Sequence, residues 1–230
     1  MKNLLTKSPL YLAITLMLSC SKSGQDTFFV EAHIAGLQDT EILILRYDEG
    51  VQIDTIHSVG GKFSFSGSVA NPMQVQFLAQ VDTTFQKLAD FILENSNITV
   101  EGSLFNLNDI KISGSQLDKI LKAYLDKDQI LENKWDSIKI IYDDFKKIND
   151  SANIKKYADQ LDKILREDRV NLLKSYVLEY YNETAGALIP NFCSIGDILS
   201  AHDYLEMYHI LSADTKQSYY GQMIKLKSEP

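Results

Sequence analysis

The spacing of the hydrophobic residues changes near Gly114, and this change constrains the fold more than any other feature of the sequence. Before that point apolar and polar residues alternate, so that Phe63 and Phe65 point to one face of a strand and the serines beside them to the other. After it, apolar residues recur every three or four positions, which is the period of an amphipathic helix. The sequence therefore predicts an α+β protein, in which an antiparallel β-sandwich or open barrel over residues 28–114 precedes a helical domain over residues 115–230.

The first half contains strand-like segments separated by polar or glycine-containing breaks. They are FFVEAHIAG, TEILILRY, QIDTIHSV, KFSFSGSV, MQVQFLAQ, ADFILE and NITVEG. Gly60 and Gly61 lie between the third and the fourth segment, and a type I′ turn requires a positive φ at both of its central residues. We therefore expect a two-residue hairpin turn at this position.

The second half predicts an antiparallel hairpin of two long helices. The first helix begins at the N-cap residue Ser115 and ends before Asn149, and Asp128 interrupts its apolar stripe. The stripe consists of Leu117, Leu121, Tyr124, Leu131, Trp135, Ile138, Tyr142 and Phe145 in the first helix, and of Ile154, Ala158, Leu161, Leu165, Leu172 and Tyr176 in the second. Neither helix buries its stripe alone, so we expect the two to pack on each other, and also on the sheet or on a second protomer.

Two further helices are expected after the hairpin. Ser200 begins one that continues through Leu211, with Asp203 in the capping-box position, although that position prefers Glu or Gln. Ser212 is expected to cap a last helix with the sequence ADTKQSYYGQMIKLK.

The first 19 residues have the features of a secretory signal. Lys2 and Lys7 give a basic start without an acid, and a short apolar run follows from Leu10 to Leu18. This run is much shorter than the roughly 20 residues that a transmembrane helix needs. We therefore expect a signal peptide over residues 1–19 that is removed.

The sequence around Cys20 predicts a lipid anchor. Met17-Leu18-Ser19-Cys20 resembles a bacterial lipobox, in which the cysteine receives a diacylglyceryl group and becomes the new N-terminus. The polar residues that follow predict a flexible tether over residues 20–27, and the lack of an acidic cluster there favours a protein that faces the periplasm. The alternative is a plain signal peptide, with Cys20 free or in a disulfide bond with Cys193.

The charge of the chain limits the classes of molecule that it is expected to bind. The formal net charge is −8, and removal of Lys2 and Lys7 with the signal makes it −10. Binding to nucleic acid or to anionic lipid requires clustered Lys and Arg, and the sequence has no such cluster. We therefore expect no nucleic-acid partner. The hydrophobic content of 45% predicts a packed core.

Cys193, in the segment IPNFCSIGD, has two interpretations. A free cysteine is often a small apolar core residue, and Phe192 and Ile195 beside it favour that interpretation. The alternative is a redox-active or crosslinking thiol, which would need a lowered pKa. No Lys, Arg or His lies within several residues in sequence to lower it.

His202, Glu206 and His209 are spaced so that they share one helix face. Three such side chains are candidates for metal ligands, and Glu-x-x-His is the unit that di-iron bundles use. The chain has no second Glu-x-x-His unit, so a solvent-exposed polar face is the favoured interpretation. The sequence also lacks nucleophile elbows, phosphate-binding glycine loops and zinc-hydrolase motifs, and we expect no cofactor.

Several segments resemble those of a known group of proteins. They are IAGLQDTEILILRY, IDTIHSVGGKFSFSGSVANP, FILENSNITVEG and IKISGSQLD. They resemble an uncharacterised β domain of Gram-negative lipoproteins, in which a helical segment follows and then usually a thioredoxin fold of the TlpA/ResA type. Over residues 28–221 the resemblance implies a periplasmic, lipid-anchored protein that is associated with thiol–disulfide chemistry.

The sequence departs from that group in one respect that bears on function. Redox chemistry of the thioredoxin type needs Cys-x-x-Cys, because one thiolate attacks and the second resolves the mixed disulfide. This sequence has no such motif and ends about where the thioredoxin domain would begin, so none of the family's active-site residues has a matching position.

These observations predict a binding protein without catalytic activity. We expect a lipid-anchored protein of the Gram-negative cell envelope that works as an interaction module. Its expected partners are the membrane, through the lipid on Cys20, and either an envelope protein or a second copy of the chain. The alternative function is an accessory role in periplasmic thiol–disulfide chemistry through Cys193.

Overall fold

The computed structural model describes residues 25–47 and 50–229, and in that part of the chain a β-sandwich precedes a group of helices. The strands are β1 Phe28–Ala35, β2 Glu41–Tyr47, β3 Val51–His57, β4 Lys62–Gly67, β5 Met73–Val81, β6 Thr84–Leu93, β7 Asn97–Ser103 and β8 Asn106–Ser113. One sheet has the order β4-β1-β7-β8 and the other β3-β2-β5-β6. The predicted α+β class with an N-terminal sandwich is confirmed. The predicted signal peptide, Cys20 and most of the tether lie outside the described residues.

One strand pair departs from the antiparallel arrangement that we predicted. β1 runs parallel to β7, with Val30 beside Ile98 and Ala32 beside Val100. The other described pairs are antiparallel, so the first sheet is mixed. Local alternation specifies a strand but not its neighbour, and for this reason the sequence pattern did not show the parallel pair.

The turn at Gly60 and Gly61 forms as expected but joins two sheets. The two glycines have φ values of +57° and +76°, and the flanking Val59 and Lys62 exchange backbone hydrogen bonds of 2.9 and 3.1 Å. Beyond this tight turn, β3 and β4 separate and become edge strands of different sheets. The turn therefore closes one side of the sandwich.

Inward-facing side chains of both sheets form the core of the sandwich. Phe77 packs edge-to-face against Phe63 and Phe91, with ring centroids 5.4 Å apart in each pair. Edge-to-face contact is a preferred arrangement of aromatic rings because of their quadrupoles.

The helical part consists of α1 Gln116–Lys147, α2 Ser151–Asp162, a π-helical turn Lys163–Asp168, α3 Arg169–Glu179, α4 Thr184–Phe192, a 3-10 turn Gly196–Ile198, α5 Ala201–Ile210, α6 Ala213–Gln217 and α7 Tyr219–Ser228. The expected hairpin is confirmed: Ser115 caps α1, and α1 packs along α2. The capping box of Ser200 and Asp203 is also present. The sequence pattern did not predict α4, which is short and apolar.

The prediction of one last helix from Ser212 is wrong. The structure has two, α6 and α7, which are separated at Ser218. Ser218 has an extended backbone with φ −65° and ψ 161°, and its hydroxyl accepts a hydrogen bond from the backbone N–H of Gly221. A serine hydroxyl satisfies free N–H groups at a helix start, and here this capping interrupts the run.

The start of α1 is attached to the end of β6 by polar contacts. The Ser115 hydroxyl accepts from the backbone N–H of Asp118 at 3.0 Å and donates to Glu94 at 2.8 Å. The buried Asp118 carboxylate accepts from the backbone N–H of Ile92 at 3.1 Å. These bonds fix the direction in which α1 leaves the sandwich.

The helical core lies around the first part of α1. Tyr124, Leu173, Leu188, Met207 and Ile224 have no solvent exposure and come from five different helices. After Asp128, α1 contributes no further buried residue. None of the described helices is both long enough and apolar enough to span a membrane.

Candidate functional site

Cys193 follows the C-terminus of α4 and lines a cavity of about 460 Å³. Asp197, Tyr204 and Lys227 also line it. The Lys227 Nζ lies 5.3 Å from the centroid of the Tyr204 ring, and burial lowers the pKa of this amine. The cavity therefore places a thiol, a carboxylate, a phenol and an amine close together.

Asn191 also lines this cavity. Its Nδ2 donates to the carbonyl oxygens of Ala187 at 2.9 Å and Tyr220 at 3.3 Å, which fixes the orientation of the amide. Its Oδ1 is buried and has no donor among the described residues. A water molecule or a small polar ligand would satisfy this oxygen.

The Cys193 thiol is protonated at neutral pH. Burial raises its pKa to about 11, and the Sγ donates to the carbonyl oxygen of Pro190 at 3.4 Å. The thiolate is the nucleophilic form of cysteine, so a raised pKa lowers reactivity. The environment of Cys193 therefore fits the packing interpretation better than the redox interpretation.

The raised pKa predicts slow and strongly pH-dependent alkylation of Cys193. At pH 8 about one thiol in a thousand is ionised at a pKa near 11, compared with about a quarter in an unfolded chain. We expect the iodoacetamide rate of the native protein to rise tenfold per pH unit up to about pH 11. The urea-unfolded protein is the control, and its rate should level off near pH 9. A native rate that levels off below pH 9 would contradict the assigned environment.

A buried ion pair lies behind the cavity and joins α1 to α3. Arg169 donates from Nε to Asp128 Oδ1 at 2.7 Å and from Nη2 to Oδ2 at 2.6 Å. The Ser194 hydroxyl, next to Cys193, also donates to Asp128. Asp128 is 1% exposed and Arg169 5%. The hydrogen bonds to Asp128 raise the pKa of Arg169, so the guanidinium remains charged.

The π-helical turn explains how Arg169 reaches this position. A π turn holds an additional residue compared with an α turn, and therefore rotates the residues that follow it around the helix axis. Arg169 is the first residue after the turn. Sequence analysis did not predict this pair, although the interruption of the apolar stripe by Asp128 was a signal of it.

Tyr124 lies near the same pair and leaves a polar atom unsatisfied. Its side chain is completely buried, and its hydroxyl has no hydrogen-bond partner among the described residues. Burial strongly raises its pKa. The hydroxyl is therefore neutral at physiological pH.

His202, Glu206 and His209 all lie on α5, but the Glu206 carboxylate is bound to a lysine of another helix. Glu206 accepts a hydrogen bond from Lys174 of α3 at 2.5 Å, and this bond lowers the pKa of the carboxyl. His202 Nε2 lies 3.3 Å from Glu206 and is largely exposed, as is His209. Among the described residues, no group of three or more His, Cys, Asp or Glu is arranged to hold a metal ion.

The outer half of the helical hairpin projects from the core. We call residues 129–160 the arm. The part of the predicted apolar stripe that lies in the arm, between α1 and α2, is the inner stripe, and its side chains are only half-buried. Within it, Phe145 of α1 stacks on Tyr157 of α2 with ring centroids 5.5 Å apart. The arm also exposes Ile130, Ile140 and Ile148, each by 66–69%. Soluble proteins expose isolated apolar side chains routinely, but several on one projecting element indicate a contact surface.

Residues 28–121 match the model of a family described as a domain of unknown function, DUF4369. The match covers the sandwich and the first turns of α1, which is less than half of the chain. It supports the resemblance of the β half to an uncharacterised domain. The relation to lipoproteins of the TlpA/ResA type stays a prediction. No curated protein matches the chain.

The structure matches parts of two solved toxins only weakly. The cytotoxin suilysin from Streptococcus suis is 10% identical with a TM-score of 0.24, and the match covers 39% of this chain and 23% of that chain. Wild-type pneumolysin is 9% identical with a TM-score of 0.22, and the match covers 39% of this chain and 22% of that chain. The matches thus span less than a quarter of each toxin.

Proposed function

We propose that the protein is a non-catalytic interaction module of the cell envelope, anchored by a lipid on Cys20, and that the arm is its contact surface. The observation that carries this proposal is the projection of the arm beyond the core. α1 has no buried residue after Asp128, so the arm contributes little to the core of its own domain. The exposed apolar side chains of a long element that is not packed into its own domain can bind a partner.

The attachment of α1 to the sandwich supports this function. The hydrogen bonds of Ser115, Asp118 and Glu94 hold the start of α1 in a fixed direction. About 19 further residues of α1 follow Asp128, which corresponds to an extension of roughly 28 Å. The sandwich therefore serves as a rigid base, and the arm presents its surface away from that base.

The proposed location in the cell envelope is based on the N-terminal sequence and on the resemblance to Gram-negative lipoproteins. A lipid on Cys20 followed by a short polar tether would hold the sandwich close to a membrane. Intact-mass measurement of the N-terminal peptide from the native envelope tests this part. We expect an acylated Cys20 and no acyl mass in a Cys20→Ser variant. An unmodified Cys20 would overturn the anchor.

The redox alternative receives no support from the geometry of Cys193. Its thiol is protonated at neutral pH and donates to a backbone carbonyl oxygen. Mixed-disulfide formation begins with attack by a thiolate. We therefore favour the interaction module.

Site-specific photocrosslinking in the native envelope tests the contact surface. A photoreactive phenylalanine is placed at Ile140 or Ile141 of the arm, and at Val51 or Val59 of the sandwich as matched exposed controls. We expect adducts from the arm positions and none from the controls. No adduct from the arm, or equal adducts from both regions, would overturn the proposal.

A further inference from the structure

The arm of α1 carries a second stripe that α2 does not cover. It consists of Ile130, Lys134, Ser137, Ile141, Asp144 and Ile148, and we call it the outer seam. Its residues are spaced by four, three, four, three and four positions, which is the repeat of a coiled-coil contact line. All six side chains are exposed. A helix with two such stripes can pack against two neighbouring helices, one on each stripe. α2 packs on the first stripe only, and the outer seam has no neighbouring helix among the described residues.

The outer seam is complementary to itself when the helix direction is reversed. In an antiparallel pair of α1 helices that places Ile130 opposite the partner subunit's Ile148, the same register brings Lys134 opposite the partner subunit's Asp144. It also brings Ser137 opposite the partner subunit's Ile141. A two-fold axis repeats each of these contacts, which is the property of an isologous interface.

The charge of the arm fits a second copy of the chain better than a strongly charged partner. The arm has six acids and six bases, whereas the whole chain has a formal net charge of −8. Two arms therefore approach each other without net repulsion, although the two whole chains carry net charge of the same sign. Opposite charges that face each other across an interface also fix the register of the pairing.

The charged residues of the seam are free to make this contact. Lys134 is exposed and has no ion-pair partner among the described residues. Asp144 pairs with Lys147 at 2.8 Å, but both side chains of that pair are at least 66% exposed. An exposed pair of this type contributes little to stability and exchanges readily.

We infer that the chain forms an antiparallel homodimer through the outer seam. This inference rests on the proposed function, because it identifies a second copy as the partner that the arm binds. In the dimer the three isoleucines of each seam leave water, and two symmetry-related pairs between Lys134 and the partner subunit's Asp144 set the register. The seam is short, so we expect the dimer to dissociate at low micromolar concentrations.

A charge exchange tests the register. Sedimentation velocity of the full chain in detergent, from about 1 to about 100 µM, should show a reversible dimer. Lys134→Glu and Asp144→Lys should each weaken the dimer by about tenfold, because each places like charges opposite each other twice. The double variant Lys134→Glu/Asp144→Lys restores opposite charges and should recover most of the affinity. Lys139→Glu, outside the seam, is the control for a general charge effect, and thermal unfolding shows that each variant is folded.

The possible outcomes separate this inference from the proposed function. A monomeric wild type at the highest concentration overturns the dimer, and so does a dimer that neither single variant weakens or that the double variant fails to recover. If the arm then still gives a photocrosslinked adduct with a protein of different sequence, the interaction module stands with another partner. If the arm gives neither a dimer nor an adduct, both proposals fail. An adduct with the mass of two copies supports both.

Discussion

Replacement of Arg169 by methionine should lower the free energy of unfolding by about 3–5 kcal/mol. The substitution leaves the Asp128 carboxylate buried, with Ser194 as its remaining side-chain donor. A buried charge without its counter-ion retains its full desolvation cost, which is why removal of one partner is so unfavourable. Urea unfolding followed by circular dichroism measures the change.

A double variant distinguishes the destabilisation caused by an unpaired buried charge from the net contribution of the ion pair to the free energy of unfolding. Asp128→Leu combined with Arg169→Met removes both charges, and we expect it to be much closer to the wild type than either single variant. Lys147→Met is the matched control, because Lys147 pairs with Asp144 at the surface, and loss of so exposed a pair should leave stability almost unchanged. A single Arg169→Met variant as stable as this control would show that the pair is not buried in solution.

Replacement of Gly114 by alanine should lower the free energy of unfolding by about 2–5 kcal/mol. Gly114 has a φ of +94°, and an added Cβ would lie 1.9 Å from the backbone oxygen of Asn97. That oxygen belongs to the start of β7, so the backbone itself has to move. Because Gly114 lies between β8 and α1, we also expect weaker protection of the Leu117 and Asp118 amides in hydrogen exchange.

Gly50→Ala is the matched control for this substitution. An added Cβ at Gly50 meets no atom within 4 Å. The loss of glycine also lowers the conformational entropy of the unfolded chain, so this variant should be neutral or slightly more stable. Equal effects of the two substitutions would show that the close approach of Gly114 to Asn97 does not exist in solution.

The arm shows how far the sequence leads and where it stops. The positions of the outer seam and their spacing are visible in the sequence. Their exposure is not, because a stripe with the same spacing is equally compatible with burial against the sheet. The tertiary structure shows that the outer seam is exposed, because α2 packs on the inner stripe and the buried core ends at Asp128.

The buried ion pair depended on tertiary structure for the same reason. Asp128 interrupts an apolar stripe, and on a solvent-exposed face this would be unremarkable. Its partner lies 41 residues away and reaches it after a π-helical turn. The contact joins α3 to α1, so no local pattern in the sequence shows it.

The sequence by itself determined the features that depend on neighbouring residues. These are the change from a two-residue period to a helical period near Gly114, the glycine turn at Gly60, and the caps at Ser115 and Ser200, because alternation, positive φ and capping are properties of a few consecutive residues. The tertiary structure decided the parallel pairing of β1 with β7, the pairing of Asp128 with Arg169, and the protonated state of Cys193. Each of these joins or surrounds residues that are distant in the chain, and only the packed fold brings them together.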